Sequence, residues 1–517
     1  KRFREIADSV GAILLADVSH IAGLIAGQAV PSPVGFAHVI TFTTHKTLCG
    51  PRGACIITQD AATARKIDRS VFPGEQGGPH VHAFAALAVT FKLAQTPKFR
   101  ELQSQIIKNN QALTTRLQER GLRVSFGGSD SHLGNVDCKT IVGHDGTPLS
   151  GDMAARILDV AGIVLNRNTI PGDKTALFAS GIRYGTPWMT QRGLKEAEMI
   201  QVADAMADIL QATKPYSIET RQGPAARAKI DFDVLEDVKL RVRSLAEKAG
   251  ADVEVGKHAY PHFFYIDDKP ADQNGWVAFD LSGDDVLGFV NYVFASDVEA
   301  LKPGERQNTR LNTPKGPVDG ILTWVKLDTY RFSLPAEHAG LAGTWLRDLS
   351  DGYVGFDVDV TRRLPGPIYV IESAEPVTMS SGERYAKANP FHIGMDGSQG
   401  GDPKPSFTWE EKEPETLRRT PLYEVHKAMG AKIIPFAGWE MPVWYTSVTE
   451  EHLATRQAAG LFDVAHMGVY QAEGPYAAAF LDSVCANDIN ALDVGESCYT
   501  HFLDPDSNVI DDTLVYR

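Results

Sequence analysis

The sequence is poor in cysteine, and no apolar run in it is long enough for a bilayer. Its five cysteines, Cys49, Cys55, Cys138, Cys485 and Cys498, are odd in number, lie far apart and form no C-x-x-C pair. No disulfide framework is therefore written into the chain, and a reduced, cytoplasmic setting is expected. No stretch approaches the roughly 18 apolar residues of a spanning helix. The opening Lys1-Arg2-Phe3-Arg4-Glu5 leads into an amphipathic helix and has no signal-peptide pattern. Positive charge is also in deficit: 51 Lys and Arg against 65 Asp and Glu give a formal charge of −14. Such a balance repels phosphate backbones and anionic lipid, so neither nucleic acid nor a membrane is an expected partner. A first methionine is missing, and Asp512-Thr513-Leu514-Val515-Tyr516-Arg517 reads as a strand stopped in mid-pattern. Both ends are expected to be truncations.

What remains is the composition of a globular chain, 517 residues with 43% hydrophobic and 22% charged, long enough for two to four domains. Residues 1 to about 215 alternate short apolar runs, Gly11 to Asp17 and His38 to Thr44, with helical patterns such as that near His80 to Gln95. This predicts an α/β domain with parallel strands. A helix is expected from Phe232 to Lys248, ending at Gly250. From about 253 the pattern turns strand-rich, with Phe263 to Ile266, Trp276 to Leu281 and Gly320 to Leu327 as candidates. Met395 to Arg419 carries Gly, Pro, Ser and mixed charge without periodicity and reads as a linker. The chain also repeats itself: Gly283 to Glu305 matches Gly474 to Glu496 at an offset of 191, with nine identities in 23 positions. With one residue inserted, Val318 to Leu322 then falls against Ile510 to Leu514, which sets Gly320 opposite Asp512.

Two places carry chemistry. The first run ends in a carboxylate, Asp17, at the carboxyl end of a strand, where open α/β sheets bind ligands and where an ionised Asp can keep a pyridinium ring protonated. A second strand delivers Thr43-Thr44-His45-Lys46 into a loop closed by Gly50-Pro51-Arg52-Gly53. A lysine that bonds a carbonyl must lose its proton, and nearby cations such as Arg52 favour that. His80-Val81-His82 pairs two imidazoles, but no third ligand cluster accompanies them, and no metal is expected.

The segments Asp17-Val18-Ser19-His20-Ile21-Ala22-Gly23, Thr43 to Gly53, Phe72-Pro73-Gly74-Glu75-Gln76-Gly77-Gly78-Pro79 and Ser180-Gly181-Ile182-Arg183-Tyr184-Gly185-Thr186-Pro187 together closely resemble serine hydroxymethyltransferases, over about residues 1 to 250. The resemblance implies a pyridoxal-phosphate fold type I domain, comprising part of the large domain and the small domain. By the same resemblance Lys46 carries pyridoxal 5'-phosphate, Asp17 pairs with its pyridine nitrogen and His20 faces its phenolic oxygen. Thr43 and His45 shape the site, with Arg52 beside it. Gly77 and Gly78 serve the phosphate of a neighbouring subunit, Arg183 grips the substrate carboxylate and Asn168 contacts folate. A homodimer or homotetramer is implied.

Toward the end, Thr420-Pro421-Leu422-Tyr423-Glu424-Val425-His426, Phe436 to Pro442 and Gly460 to Gly468 resemble the opening of the glycine-cleavage T-protein, an aminomethyltransferase. That resemblance implies α+β folate-binding modules. In them Asp512 is the catalytic carboxylate, Met467, Tyr499 and Tyr516 line the folate, and a lipoyl carrier protein is the partner. The expected organisation is 1–252 hydroxymethyltransferase-like, 253–390 a degenerate T-protein-like copy, 391–417 linker and 418–517 a second T-protein-like copy. The expected reaction takes serine and tetrahydrofolate to glycine and 5,10-methylenetetrahydrofolate. The competing expectations are a folate-independent aldolase of hydroxy-amino acids, or a pseudoenzyme that acts as an assembly scaffold.

Overall fold

A three-stranded sheet opens the chain: β1 (Leu15–Asp17) runs parallel to β2 (Val39–Thr43), and β3 (Ala54–Thr58) lies antiparallel along the other edge of β2. Of the apolar run Gly11 to Asp17, only the last three residues form the strand: Gly11 turns at φ +65°, and the Leu14 amide donates to the His38 ring (Nδ1, 2.8 Å) and not to a strand partner. The computed structural model describes residues 1–218, 224–251, 264–269, 275–299, 301–357, 359–373, 376, 392–393, 416–474, 477–504 and 508–517. They fall into two units, Lys1–Met395 and Asp396–Arg517, both mixing α-helix and β-sheet.

The helix expected near His80 to Gln95 is Val81–Ala94, with those two residues as its caps, and it buries only Thr90 and Ala94. The long helix Pro97–Glu119 starts at Thr96, whose hydroxyl accepts from Phe99 N (3.3 Å), and it packs against Glu196–Ala212. Beside this pair lies a second, antiparallel sheet of β4 (Leu133–Asp137), β5 (Asn166–Asn168) and β6 (Gly181–Gly185), with β6 in the middle. Leu113, Leu117, Val136, Ile157, Ile182 and Met206 fill the core between helices and sheet. A hairpin of β7 (Lys214–Ile218) and β8 (Ala225–Lys229) follows.

The helix Phe232–Lys248 has the predicted bounds. Asp231 caps it by accepting from Asp233 N (3.0 Å) and Val234 N (3.3 Å), and Gly250 turns away at φ +74°. It belongs to two cores at once. Leu235 and Val238 join the first, whereas Phe232 sits edge-on against Trp345 (4.9 Å) in the second. That second core underlies a five-stranded antiparallel sheet, β9 (Trp276–Ser282), β10 (Arg306–Thr313), β11 (Gly316–Lys326), β12 (Thr329–Pro335) and β13 (Tyr369–Ser373), in the order β10-β11-β12-β9-β13. Phe264 to Ile266, expected as a strand, are not extended into one; Phe263 and most of the expected linker lie outside the described residues.

The second unit contains the three-stranded β14 (Arg418–Arg419), β15 (Lys432–Phe436) and β16 (Trp439–Trp444), then the hairpin of β17 (Ser497–Leu503) and β18 (Val509–Tyr516). Here the repeat becomes visible in backbone detail. The helices Val286–Val293 and Ala477–Val484 stand 191 residues apart. Ala295 N bonds Arg310 O (3.0 Å) just as Ala486 N bonds His501 O (2.9 Å). Val298 N bonds Asn291 Oδ1 as Ile489 N bonds Asp482 Oδ1, and Lys302 N bonds Glu305 Oε2 as Asp493 N bonds Glu496 Oε2.

The hairpin register corrects one expectation. Thr309 pairs with Gly320 and its counterpart Thr500 pairs with Thr513, so Gly320 stands in the place of Thr513. The counterpart of Asp512, which faces His501, is Asp319, which faces Arg310 and takes both Nε (2.6 Å) and Nη2 (3.0 Å) of its guanidinium. The middle copy therefore keeps a carboxylate but engages it in a bidentate ion pair. Gly320 is needed for packing, since a Cβ there would overlap Ser333 O and the Phe332 ring. Gly320→Asp is expected to destabilise the middle sheet by roughly 2–3 kcal/mol. A urea midpoint equal to that of the wild type would refute this.

Candidate active site

The first site is assembled where β1 and β2 end. Asp17 leaves β1 with Oδ1 accepting from both Ser19 N (2.9 Å) and Ser19 Oγ (2.6 Å). The Ser19 hydroxyl bond first, then the Ser19 amide, then the Lys46 and His20 charges hold its carboxyl below the ordinary range. Its Oδ2 receives no hydrogen bond among the described residues and is left for a donor.

Past β2 the chain folds into a closed loop that aims Lys46. Thr44, fully buried, donates from N to Gly53 O (3.0 Å) and from Oγ1 to Pro51 O (2.6 Å), while Gly50 N returns to Thr44 O (2.8 Å) and Cys49 N to Lys46 O (2.9 Å). Thr47 Oγ1 donates to His20 O (2.8 Å) and accepts from Gly23 N (3.0 Å), which ties this loop to the Asp17 segment. Gly23 permits the approach, because any Cβ there would overlap the Thr47 carbonyl. Thr43 donates from N to Ser19 Oγ (3.2 Å) and from Oγ1 to Ser19 O (3.4 Å).

Arg183 arrives from β6, half-buried, and its guanidinium makes no hydrogen bond to a described residue. Burial first, then the charges of Lys46 and Arg183, lower the pKa of His20, with Asp17 opposing. The charges of Asp17, Lys46 and Arg183 all act on His20, and the three segments that carry them are tied together by Thr47 on His20 O and Gly23 N and by Thr186 N on the carbonyl of His132, whose ring adjoins His20. His45 is half-buried and its Nδ1 is enclosed without a partner among the described residues.

The other candidates lie less centrally. Arg52 is exposed, as are Gly77 and Gly78, where an added Cβ would meet nothing within 4 Å. Asn168 closes β5, pairs with Gly181 of the Arg183 strand and donates to Thr169 O (2.9 Å). His80 and His82 place their rings 5.6 Å apart, and among the described residues no group of three or more His, Cys, Asp or Glu is arranged for a metal ion. Sequence reasoning missed His132. It is buried, stacks on His20 with ring centroids 5.5 Å apart, and brings its Nε2 to 3.4 Å from His20 Nδ1. It lies in the polar turn Ser129-Asp130-Ser131-His132 before β4, which by itself gives no signal of that contact.

In the second unit, Tyr499 OH donates to Asp512 Oδ2 across the hairpin. Asp512, Leu514 and Tyr516 alternate along β18, so all three share the face on which Tyr499, paired with Leu514, also stands. Tyr499 and Tyr516 are exposed, and Met467 is exposed in the turn after Val464, outside the hairpin. Behind the opening motifs, Asp463 accepts from Thr420 Oγ1 (2.7 Å) and bonds His426 Nε2 (2.8 Å), whose Nδ1 meets Tyr445 OH (2.6 Å). This chain of bonds holds the helix Tyr423–Ala428 to the strand-end tyrosine.

Residues 1–206 match the family model described as serine hydroxymethyltransferase, and residues 422–517 match that of the GCVT N-terminal domain. The curated serine hydroxymethyltransferase of Rickettsia canadensis (strain McKiel) is 47% identical over 240 residues, which cover 46% of this chain and 55% of that protein. The chain thus spans about half the length of the relative it matches. No described helix is long and apolar enough to cross a membrane.

Proposed function

From the premise that one end of the chain is of serine hydroxymethyltransferase type and the other of GCVT type, we propose a glycine hydroxymethyltransferase joined to an aminomethyltransferase-like module. The observation that carries the reading is the bonding of the Lys46 loop to the segment 17–23, through Thr47 on His20 O and Gly23 N and Thr43 N on Ser19 Oγ. The residue types fit pyridoxal phosphate: Lys46 offers an amine, Asp17 a carboxylate with one oxygen that receives no hydrogen bond among the described residues, and His45 an enclosed Nδ1 without a partner among them. When bound, that cofactor supplies the electron sink needed to break a bond at the α-carbon of serine. Around it, Lys46 offers the amine that holds the carbonyl, Asp17 keeps the pyridine nitrogen protonated and His20 donates toward the phenolic oxygen, while Thr43 and His45 wall the site. Arg183 orients the amino acid through its carboxylate.

In the proposed assembly Gly77 and Gly78 face the phosphate of a second subunit in a dimer or tetramer, and Asn168 faces tetrahydrofolate. Residues 1–252 are a partial fold type I domain, 253–390 an inactive T-protein-like copy and 418–517 the start of an active one. There Asp512, with Tyr499, Tyr516 and Met467, meets the folate, and a lipoyl carrier delivers the aminomethyl group. Both ends yield methylenetetrahydrofolate, which gives the fusion a chemical rationale. A cytoplasmic setting is proposed from the sequence alone, whose five cysteines are few, scattered and odd in number. The test is glycine release from serine by the protein, supplied with pyridoxal phosphate and tetrahydrofolate. Release that does not depend on folate would favour the aldolase reading.

Two variants divide the roles. Arg183→Lys is expected to weaken serine binding by about 2–4 kcal/mol through loss of the planar fork, leaving the cofactor spectrum unchanged. An unaltered serine titration removes Arg183 from the site. Asp512→Asn is expected to slow ammonia release from aminomethylated lipoyl protein by about a hundredfold, with folding unaffected because the side chain is exposed. Full activity in that variant would overturn the assignment of the carboxyl end.

A further inference from the structure

We propose that His132 is a positioning residue: its Nε2–H donates to His20 Nδ1 and thereby holds His20 in the tautomer that presents Nε2–H to the site. The inference rests on the proposed function in one respect, that His20 faces the phenolic oxygen of the cofactor.

The geometry requires a partnership between the two rings. They come from segments 112 residues apart, stack at 25° and approach at 3.4 Å, Nδ1 of His20 to Nε2 of His132. The backbone at His132 is fixed in place. Its carbonyl accepts from Thr186 N (3.1 Å), Thr186 Oγ1 donates to Ile106 O (2.9 Å), and the turn before it is pinned by Ser131 N on Ser129 Oγ (3.2 Å). Thr186 follows the Arg183 strand, so His132 bridges the carboxylate-binding arm and the Asp17 segment.

Proton accounting then assigns the tautomers. A neutral imidazole carries one N–H. His132 Nδ1 is enclosed with no partner among the described residues. A stranded buried donor is costlier than a bare lone pair, so the proton belongs on Nε2, the nitrogen with a partner. His20 Nδ1 must then accept, and its own proton lies on Nε2. His132 stays neutral in this arrangement: burial, then His20 and Arg183, bring its pKa to about 4. The charged groups acting on His20 are Lys46, Arg183 and Asp17, and the two cations also favour neutrality. The consequence is a donor aimed at an anionic oxygen, with no imidazolium required.

The test uses the full chain, labelled with ¹⁵N-histidine and free of cofactor, with long-range ¹H–¹⁵N correlation reading which nitrogen of each ring holds the proton. The expected result is Nε2–H on both rings, with the His20 Nδ1 resonance shielded as a hydrogen-bond acceptor. His132→Phe keeps the stack and removes the donor, so that resonance should move downfield; His132→Asn should restore part of the shielding. An Nδ1-protonated His132 in the wild type overturns the proposal without any variant, and so does an unmoved His20 resonance in His132→Phe. The measurement needs no cofactor, so it stands apart from the functional reading, which fails separately if Lys46 takes up no pyridoxal phosphate.

Discussion

Replacing Lys46 with glutamine is expected to abolish the visible absorbance of lysine-bound cofactor and its trapping by borohydride. Serine turnover should fall by on the order of 10³-fold or more. The amine is the sole group in the cluster able to bond the cofactor's carbonyl reversibly, and removing a covalent catalyst is not compensated by its neighbours. Folding should not suffer, because the Lys46 side chain is half-buried and makes no hydrogen bond to a described residue; the loop is closed by Thr44, Gly50 and Gly53 through their backbones and one hydroxyl. Absorbance, mass spectrometry of the borohydride-treated chain and urea unfolding of the same sample check all three statements. Turnover within about tenfold of the wild type would sink the assignment.

The second large effect concerns stability. Lys239, on the helix Phe232–Lys248, is 3% exposed, with its ammonium 2.8 Å from Glu236 Oε1 and 3.6 Å from Asp348 Oδ1, both carboxylates buried as deeply. Lys239→Met keeps the length of the side chain but leaves two carboxylates facing each other in a poorly solvated place, at a cost of about 3–5 kcal/mol. The loss should depend on pH. Burial, then the charge of Asp348, raises the Glu236 pKa, and burial likewise brings Asp351 nearby to about 6 against the pull of Arg347. Carboxyls raised in the folded state hold more protons than in the unfolded chain, so their contribution falls as pH rises above the ordinary carboxylate range. The deficit of Lys239→Met should therefore be smaller near pH 5 than near pH 8. A deficit independent of pH would show that lost packing, not uncompensated charge, is responsible.

Periodicity and caps made several elements legible. Val39–Thr43 was readable as a β-branched run, and Phe232–Lys248 from its Asp231 start and its Gly250 stop. The repeat was readable because identities cluster at residues that shape backbone bonds, such as Gly283 and Glu305 with their counterparts Gly474 and Glu496. The candidates Asp17, His20, Lys46 and Arg183 were readable from three motifs in order, although not as a shape. Other features were hidden for physical reasons. Strand pairing depends on the loop between β17 and β18, so aligning letters placed Gly320 one register away from where hydrogen bonds place it. His132 was invisible because a lone histidine in a polar turn reveals nothing of the ring it will stack upon 112 residues away. The run from Gly11 gave a shorter strand than its apolar letters suggest because Gly11 turns at positive φ and the Leu14 amide is taken by the His38 ring, a partner 24 residues away.

The helix with a face in each of two cores limits how the molecule can be dissected. A truncation guided by motif boundaries would put a stop codon soon after Lys248, in the hope of an independent catalytic fragment. Such a fragment would carry Phe232, Glu236 and Lys239 into water without Trp345 or Asp348 to receive them. Protease digestion and calorimetry should accordingly report one cooperative block from the Arg183 strand through β13, so that recombination between modules succeeds only if the crossover point leaves this helix with both of its neighbours.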